Sequence, residues 1–323
     1  MQQSGTAQQL STVAGKVPAP FLVLAGVCGI QFGAALAPSA YPQAGAAGVV
    51  FLRLLIAGVL LCLLWRPRRK NLSEVKGAWG TVLAAGALLA GHHITFFEAV
   101  NHVPLGIVAT IEFLGPFTIA LAGSRRVLDL LPACLAAGGV LLLSGGGGVS
   151  LSVAGLALAA VAASCWAGYI LVAARMATHL SGGQGLAVAI TWAALLSAPY
   201  GIAHAGSALL DVHILGVATV VAVCSSVLPY SLNLEALRRI PPRVFSVLTS
   251  LEPAAGAVFG LIILGQHLNW PQWLGIATVA CASIAATYLS PKKRKASRTR
   301  EMSVSAPEES ADRNKAHIPQ ASQ

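Results

Sequence analysis

Apolar residues run along this chain in long blocks, and the polar residues collect in the short gaps between them. Roughly ten blocks of about 20 residues can be marked off, each long enough to cross a bilayer as a helix. They cover about Pro18–Ala40, Gly45–Trp65, Trp79–Val100, Pro104–Gly123 and Leu130–Gly146 in the first half. In the second half they cover Val153–Met176, Leu186–His204, Ile214–Leu234, Val244–Gly265 and Trp273–Leu289. Period-2 alternation with turns every ten residues is absent, which excludes a membrane β-barrel. The pattern predicts an all-α membrane protein of ten transmembrane helices. Residues 1–17 form a polar tail, and residues 290–323 a basic-led polar tail with nothing apolar to bury, expected to be disordered.

Composition agrees. The 323 residues are 56% hydrophobic and 10% charged, with a mean hydropathy of +0.73, whereas soluble domains carry nearer a quarter charged residues. The net charge of +10 would suit nucleic acid, but the basic residues sit in short clusters between apolar blocks and form no basic face. Those clusters instead orient the chain. With the N-terminus inside, 20 of the 21 Lys and Arg fall on the cytoplasmic side, none falls in an outer loop, and Arg53 lies within the second span. Both termini are therefore expected in the cytoplasm. Ala35-Leu36-Ala37 imitates a signal-peptidase site, but Pro38 follows it directly and nine spans lie beyond, so the segment is read as the first helix. The six cysteines all fall in apolar blocks without Cys-x-x-Cys or ligand spacing, and read as small buried hydrophobes rather than disulfide or metal partners.

The chain repeats itself. Glu98-Ala-Val-Asn-His-Val-Pro104 recurs as Glu235-Ala-Leu-Arg-Arg-Ile-Pro241, and the same shift of 137 positions superposes Leu114 on Leu251, Pro116 on Pro253, Ala120 on Ala257 and Gly123 on Gly260. Five spans is an odd number, so residues 18–146 and 153–289 would be two five-helix repeats with the second inverted. Inverted repeats give secondary transporters two related states, each open to one side of a site near the midplane.

Ionisable residues inside a membrane are costly, about 2.5–3.5 kcal/mol each on insertion scales for Arg, Lys or Asp, so they line cavities or pair. Glu112 and Glu252 stand eight and eleven residues past Pro104 and Pro241. These are depths of about 12 and about 16 Å from opposite faces. Both carboxyls then sit near mid-membrane, where they would face a polar cavity, bind a cationic group or carry a proton; the alternative is a structural pairing with Arg53 or a histidine. Pro116 and Pro253 each remove a backbone hydrogen bond at matched positions and mark candidate helix breaks. His92 and His93 are neighbours pointing about 100° apart, so one is expected to line the cavity while the other packs or bonds to a neighbour. Arg53 reads either as a contact for a substrate carboxylate or as half of an ion pair, and Trp166, Tyr169 and Tyr230 as cavity walls or core. Neither a phosphate loop nor a hydrolase motif is present, so no enzyme is expected.

These features resemble the drug/metabolite transporter superfamily with two EamA-type repeats. Two segments resemble its RhtA-type threonine/homoserine exporter branch in particular: Val103-Pro-Leu-Gly-Ile-Val-Ala-Thr-Ile-Glu-Phe-Leu-Gly-Pro116, and Ser226-Val-Leu-Pro-Tyr-Ser-Leu-Asn-Leu-Glu-Ala-Leu-Arg-Arg239 with Phe245 and Ser250-Leu-Glu-Pro253. The resemblance spans about residues 18–290. It implies a bacterial inner-membrane exporter of small metabolites, typically amino acids, driven by the proton gradient. The family's cavity helices would place Gln31, His93, Glu112, Trp166, Tyr230 and Glu252 at the site. One departure is Leu264-Gly-Gln266, where many members carry Leu-Gly-Glu. The expected partners are a small-molecule substrate, protons and the lipid bilayer, with a homodimer left open; no cofactor, metal or nucleic acid is expected. A drug or lipid flippase of the same architecture and a non-transporting sensor are the competing readings.

Overall fold

The computed structural model describes residues 17–65, 78–122, 134–136, 138–139, 142, 152–179, 183–237, 239–240 and 242–289. Among these every regular element is helical, in the order α1 (Ala19–Leu36), α2 (Tyr41–Trp65), α3 (Trp79–Val100), α4 (Leu105–Ala122), α5 (Val153–His179), α6 (Gln184–Ala205), α7 (Val212–Ala222), α8 (Leu228–Leu237), α9 (Pro242–Thr249), α10 (Glu252–Leu264) and α11 (Trp270–Leu289). Five helical stretches are long and apolar enough to cross a membrane: Ala19–Trp65, Trp79–Val100, Val153–Ala173, Gln184–Leu210 and Val212–Asn233. The first of these bends at a short 3-10 turn, Ala37–Ala40, and at Gly45, whose φ of 64° is a left-handed conformation that glycine adopts freely. The expected fifth span, Leu130–Gly146, and both tails lie almost wholly outside the described residues.

The described residues combine an apolar exterior with a few polar side chains buried in an otherwise apolar interior. Phe21, Leu63, Leu210 and Ile262 are more than half exposed, while Gln31, Arg53, His92, His93, Ser225, Ser226 and Gln272 are buried. An apolar exterior, with ionisable groups kept inside, is what a bilayer solvent demands. It also corrects the expectation for the cysteines: Cys28, Cys134 and Cys281 are exposed and the other three half-buried, because the outside of such a bundle is itself apolar. Hydroxyls inside the bundle satisfy themselves locally; Thr95, Thr110, Thr191, Ser225 and Ser231 each donate to the carbonyl four residues back.

Small residues let the helices approach closely. The Gly26, Gly29 and Gly33 face of α1 lies against Asn233, Cys224 and Ser225, Gly86 of α3 against Ala189 and Trp192 of α6, and Gly106 of α4 against Ala257 of α10. α2 packs mainly on α6, α3 on α5 and α6, and α4 on both α5 and α10.

Two connections form the same turn. His102 and Val103 donate their backbone N–H groups to Ala99 O, and Arg239 and Ile240 donate theirs to Ala236 O, at 2.9 Å in all four cases. These are the positions related by the shift of 137, so the repeat in sequence is also a repeat in local backbone structure.

Two spans differ from a plain helix. The stretch expected over Ile214–Leu234 starts at an Asp211 cap, whose carboxylate accepts from His213 N and Ile214 N. It then widens into a π segment at Val223–Val227 before continuing as α8. The stretch expected over Val244–Gly265 is broken at Ser250–Leu251 into α9 and α10. The two matched prolines therefore act differently. Pro253 sits in the first turn of α10, where its missing N–H costs nothing, whereas α4 continues through Pro116 to Ala122. The expected break at Pro116 is absent; α4 is braced there by α5, with Gly115 seated against the Ala163 carbonyl.

Candidate functional site

Arg53 lies in the middle of α2, facing inward and only 4% exposed. Its Nη1 donates to His93 Nδ1 at 3.0 Å, and its Nη2 to Ser226 Oγ at 3.1 Å and to Ser225 O at 3.4 Å. The guanidinium carbon stands 5.0 Å over the Phe97 ring. The π segment of the α7–α8 span supplies both serines; π segments interrupt helices at functional sites in many proteins. A guanidinium can only donate, so His93 Nδ1 must be the accepting nitrogen, and the His93 ring bound to it is neutral with its proton on Nε2. Among the described residues, every hydrogen-bonding partner of Arg53 is thus uncharged.

The other carboxyl-bearing half of the cluster centres on His92. Its Nδ1 lies 3.3 Å from Ala162 O, and its Nε2 lies 3.4 Å from Glu112 Oε1. A carbonyl only accepts, so Nδ1 carries a hydrogen. The Nε2–Oε1 contact therefore needs one further proton, held either by the carboxyl or by the imidazole. Of the two partners named for a structural pairing of Glu112, the described residues place a histidine, His92, within 4 Å and not Arg53.

The two histidines each bond to a neighbour. They diverge from α3, one to Arg53 and one to Glu112, with ring centroids 4.7 Å apart. Both are consequently polar members of one cluster. Trp166 lies 5.0 Å from the His92 ring and stacks on Tyr169 at 5.2 Å, so a row of rings flanks the histidine.

Glu252 is the first residue of α10, half-buried, where the positive end of the helix favours a carboxylate. It lies within electrostatic range of Glu112. One turn further along α10, a Cβ at Gly256 would come within 3.0 Å of Gln31 Oε1 and 3.2 Å of Ala109 Cβ. Gln31 is 1% exposed and its Oε1 has no hydrogen-bond partner. Tyr230 on α8 stands within electrostatic range of both Arg53 and Glu112. The structure thus brings Gln31, Arg53, His92, His93, Glu112, Trp166, Tyr230 and Glu252 into one inner region built from α1–α5, α8 and α10.

Ser225 and Ser226 carried no signal of their own in the sequence, and Gln266 stood out there only as a departure from a family pattern. Ser225 and Ser226 are 172 and 173 positions from Arg53, and their role depends on a local helix distortion. Gln266 follows Gly265, a left-handed C-cap, and its Oε1 accepts the free backbone N–H of Leu105 at 3.0 Å. A residue beyond α10 thus caps the start of α4. Either a Gln or a Glu side chain at this position can supply that acceptor.

A membrane bundle with apolar walls and a charged, hydrogen-bonded interior is the build of a transport protein. Residues 153–288 match the EamA-like transporter family. The threonine/homoserine exporter RhtA of Salmonella typhimurium is 39% identical over 271 residues, covering 83% of this chain and 91% of that protein. The RhtA of Escherichia coli K12 is 37% identical over 276 residues, 85% and 92% of the two chains. The transporter YwfM of Bacillus subtilis is 28% identical, over 83% and 92%. A crystal structure 20% identical in sequence shares the fold, with a TM-score of 0.57 over 86% of this chain and 98% of that one. The chain belongs to the EamA-like transporter family, in the RhtA-like branch of the drug/metabolite transporter superfamily. This is a family of transporters and not of enzymes.

Proposed function

We propose that this protein is a secondary transporter that exports amino acids, threonine and homoserine among them, across a bacterial inner membrane. The observation that carries the reading is the polar cluster of Arg53, His92, His93, Glu112 and Glu252 enclosed by an apolar bundle, in a chain that spans more than nine-tenths of its exporter relatives. One guanidinium, two imidazoles and two carboxyl groups match a small zwitterion. A drug or lipid flippase calls for a greasier interior, which the buried polar groups disfavour.

The mechanism in this reading is alternating access by ten spans in two inverted five-helix repeats, residues 18–146 and 153–289, with both termini in the cytoplasm. The recurring turn at Ala99 and Ala236 and the basic clusters support it. Coupling to protons runs through the His92–Glu112 pair, whose contact holds one exchangeable proton by its geometry. The half-helix start at Glu252 gives the site a second carboxyl where the backbone is broken. The test is amino-acid accumulation in the medium of cells with and without the gene. Raised extracellular threonine or homoserine is expected; no change for any amino acid across a broad panel counts against the function.

A further inference from the structure

Arg53 is a buried full charge whose hydrogen bonds, among the described residues, all go to neutral acceptors. A guanidinium has five N–H donors; three hydrogen bonds are made, to neutral His93, the Ser226 hydroxyl and the Ser225 carbonyl. Its Nε is buried without an acceptor. Among the described residues no carboxylate lies within 4 Å of it, although Glu112 is close enough to be felt electrostatically. Burying a charge this way is costly unless a counter-ion arrives. The Nε–H and one Nη2 N–H share an edge of the guanidinium. Nη2 makes the longest of the three bonds, 3.4 Å to Ser225 O, so an incoming anion can take that edge by displacing the weakest contact.

The opposite chemistry lies in the same inner region. Glu112 is within electrostatic range of both Arg53 and Glu252, and Gln31 abuts Gly256, one turn past Glu252. Gln31 Oε1, Glu112 and Glu252 are acceptors for a cation, and the Gln31 oxygen is unpartnered.

We propose that Arg53 is the anchor for the substrate's α-carboxylate, with the α-ammonium directed to the Glu112, Glu252 and Gln31 side. This rests on the amino-acid exporter reading and makes it specific: the substrate class is the α-amino acid zwitterion, and compounds with the same side chain but no carboxylate are rejected.

The experiment measures binding of L-threonine and L-threoninamide to the full-length protein in lipid nanodiscs by titration calorimetry. Wild type is expected to bind threonine at least about tenfold more tightly than the amide, the loss typical of one charged hydrogen-bonded partner. Arg53→Gln should bring the two ligands to within about twofold of each other, and Arg53→Lys should keep part of the preference, with the charge but not the planar fork. Equal binding of both ligands by wild type overturns the assignment while leaving an amino-acid transporter. A full threonine preference in Arg53→Gln overturns it as well. Should Arg53→Gln fail to fold, the wild-type ratio decides alone. Absence of threonine binding to wild type overturns the exporter reading for this amino acid and the inference with it.

Discussion

Gly106 holds together the two helices that carry the carboxyls. It faces α10 so closely that a Cβ would lie 2.7 Å from Ala257 Cα and Cβ and 2.9 Å from Ala257 N. Reaching the 3.4 Å at which ordinary contact begins requires α4 and α10 to separate by about 0.7 Å, and the obstructing atoms include backbone that cannot swing aside. Overpacking of this kind costs about 1–3 kcal/mol. Alanine regains about 0.8–1 kcal/mol of helix propensity over glycine. Gly216 of α7 isolates the packing cost, because a Cβ there meets nothing within 4 Å. Gly106→Ala and Gly216→Ala share the propensity gain, so their difference in stability should be about 1–3 kcal/mol, several degrees in Tm for a chain of this size. Thermal unfolding of the two purified variants in one detergent measures it. Gly106→Ala should melt below wild type or close to it and export less, since Glu112 rides on α4 and Glu252 on α10; Gly216→Ala should melt at or above wild type. A Gly106→Ala protein as stable and active as Gly216→Ala would refute the close α4–α10 contact.

Gln266→Ala leaves the Leu105 N–H without its acceptor and should destabilise by about 0.5–2 kcal/mol, while Gln266→Glu should melt within a degree or two of wild type; an Ala variant as stable as the Glu variant contradicts the cap. Single cysteines replacing His102 and Arg239, in a background freed of native cysteines, should react with impermeant maleimide from opposite sides of the membrane; labelling from one side ends the inverted repeat. Removing residues 290–323 should leave export within about twofold of wild type if the bundle alone transports, and loss of export with normal insertion would favour a role for the tail as output.

The long apolar helices among the described residues were legible because a bilayer-crossing helix needs only a long apolar block, and α3 occupies Trp79–Val100, the expected bounds. Breaks within spans were harder to see. Pro253 and Pro116 look alike in sequence, yet only the former starts a new helix; neighbouring helices decide whether a proline's lost bond opens the backbone. Glu112, Glu252 and Arg53 were identifiable as charges in apolar surroundings. Their partners were not, since Arg53 meets residues on a distant span through a helix distortion that no local pattern announces. The two adjacent histidines show the same limit: their angular separation was readable, but whether each direction held a polar partner depended on α2 and α4.

Efflux from proteoliposomes loaded with radiolabelled threonine tests the account most directly. Vesicles with wild-type protein should empty faster than protein-free vesicles, and vesicles with the same amount of inserted Glu112→Gln should lose threonine at the protein-free rate. Wild-type efflux no faster than the protein-free leak, or undiminished efflux through Glu112→Gln, would contradict the claim that the buried cluster moves amino acids.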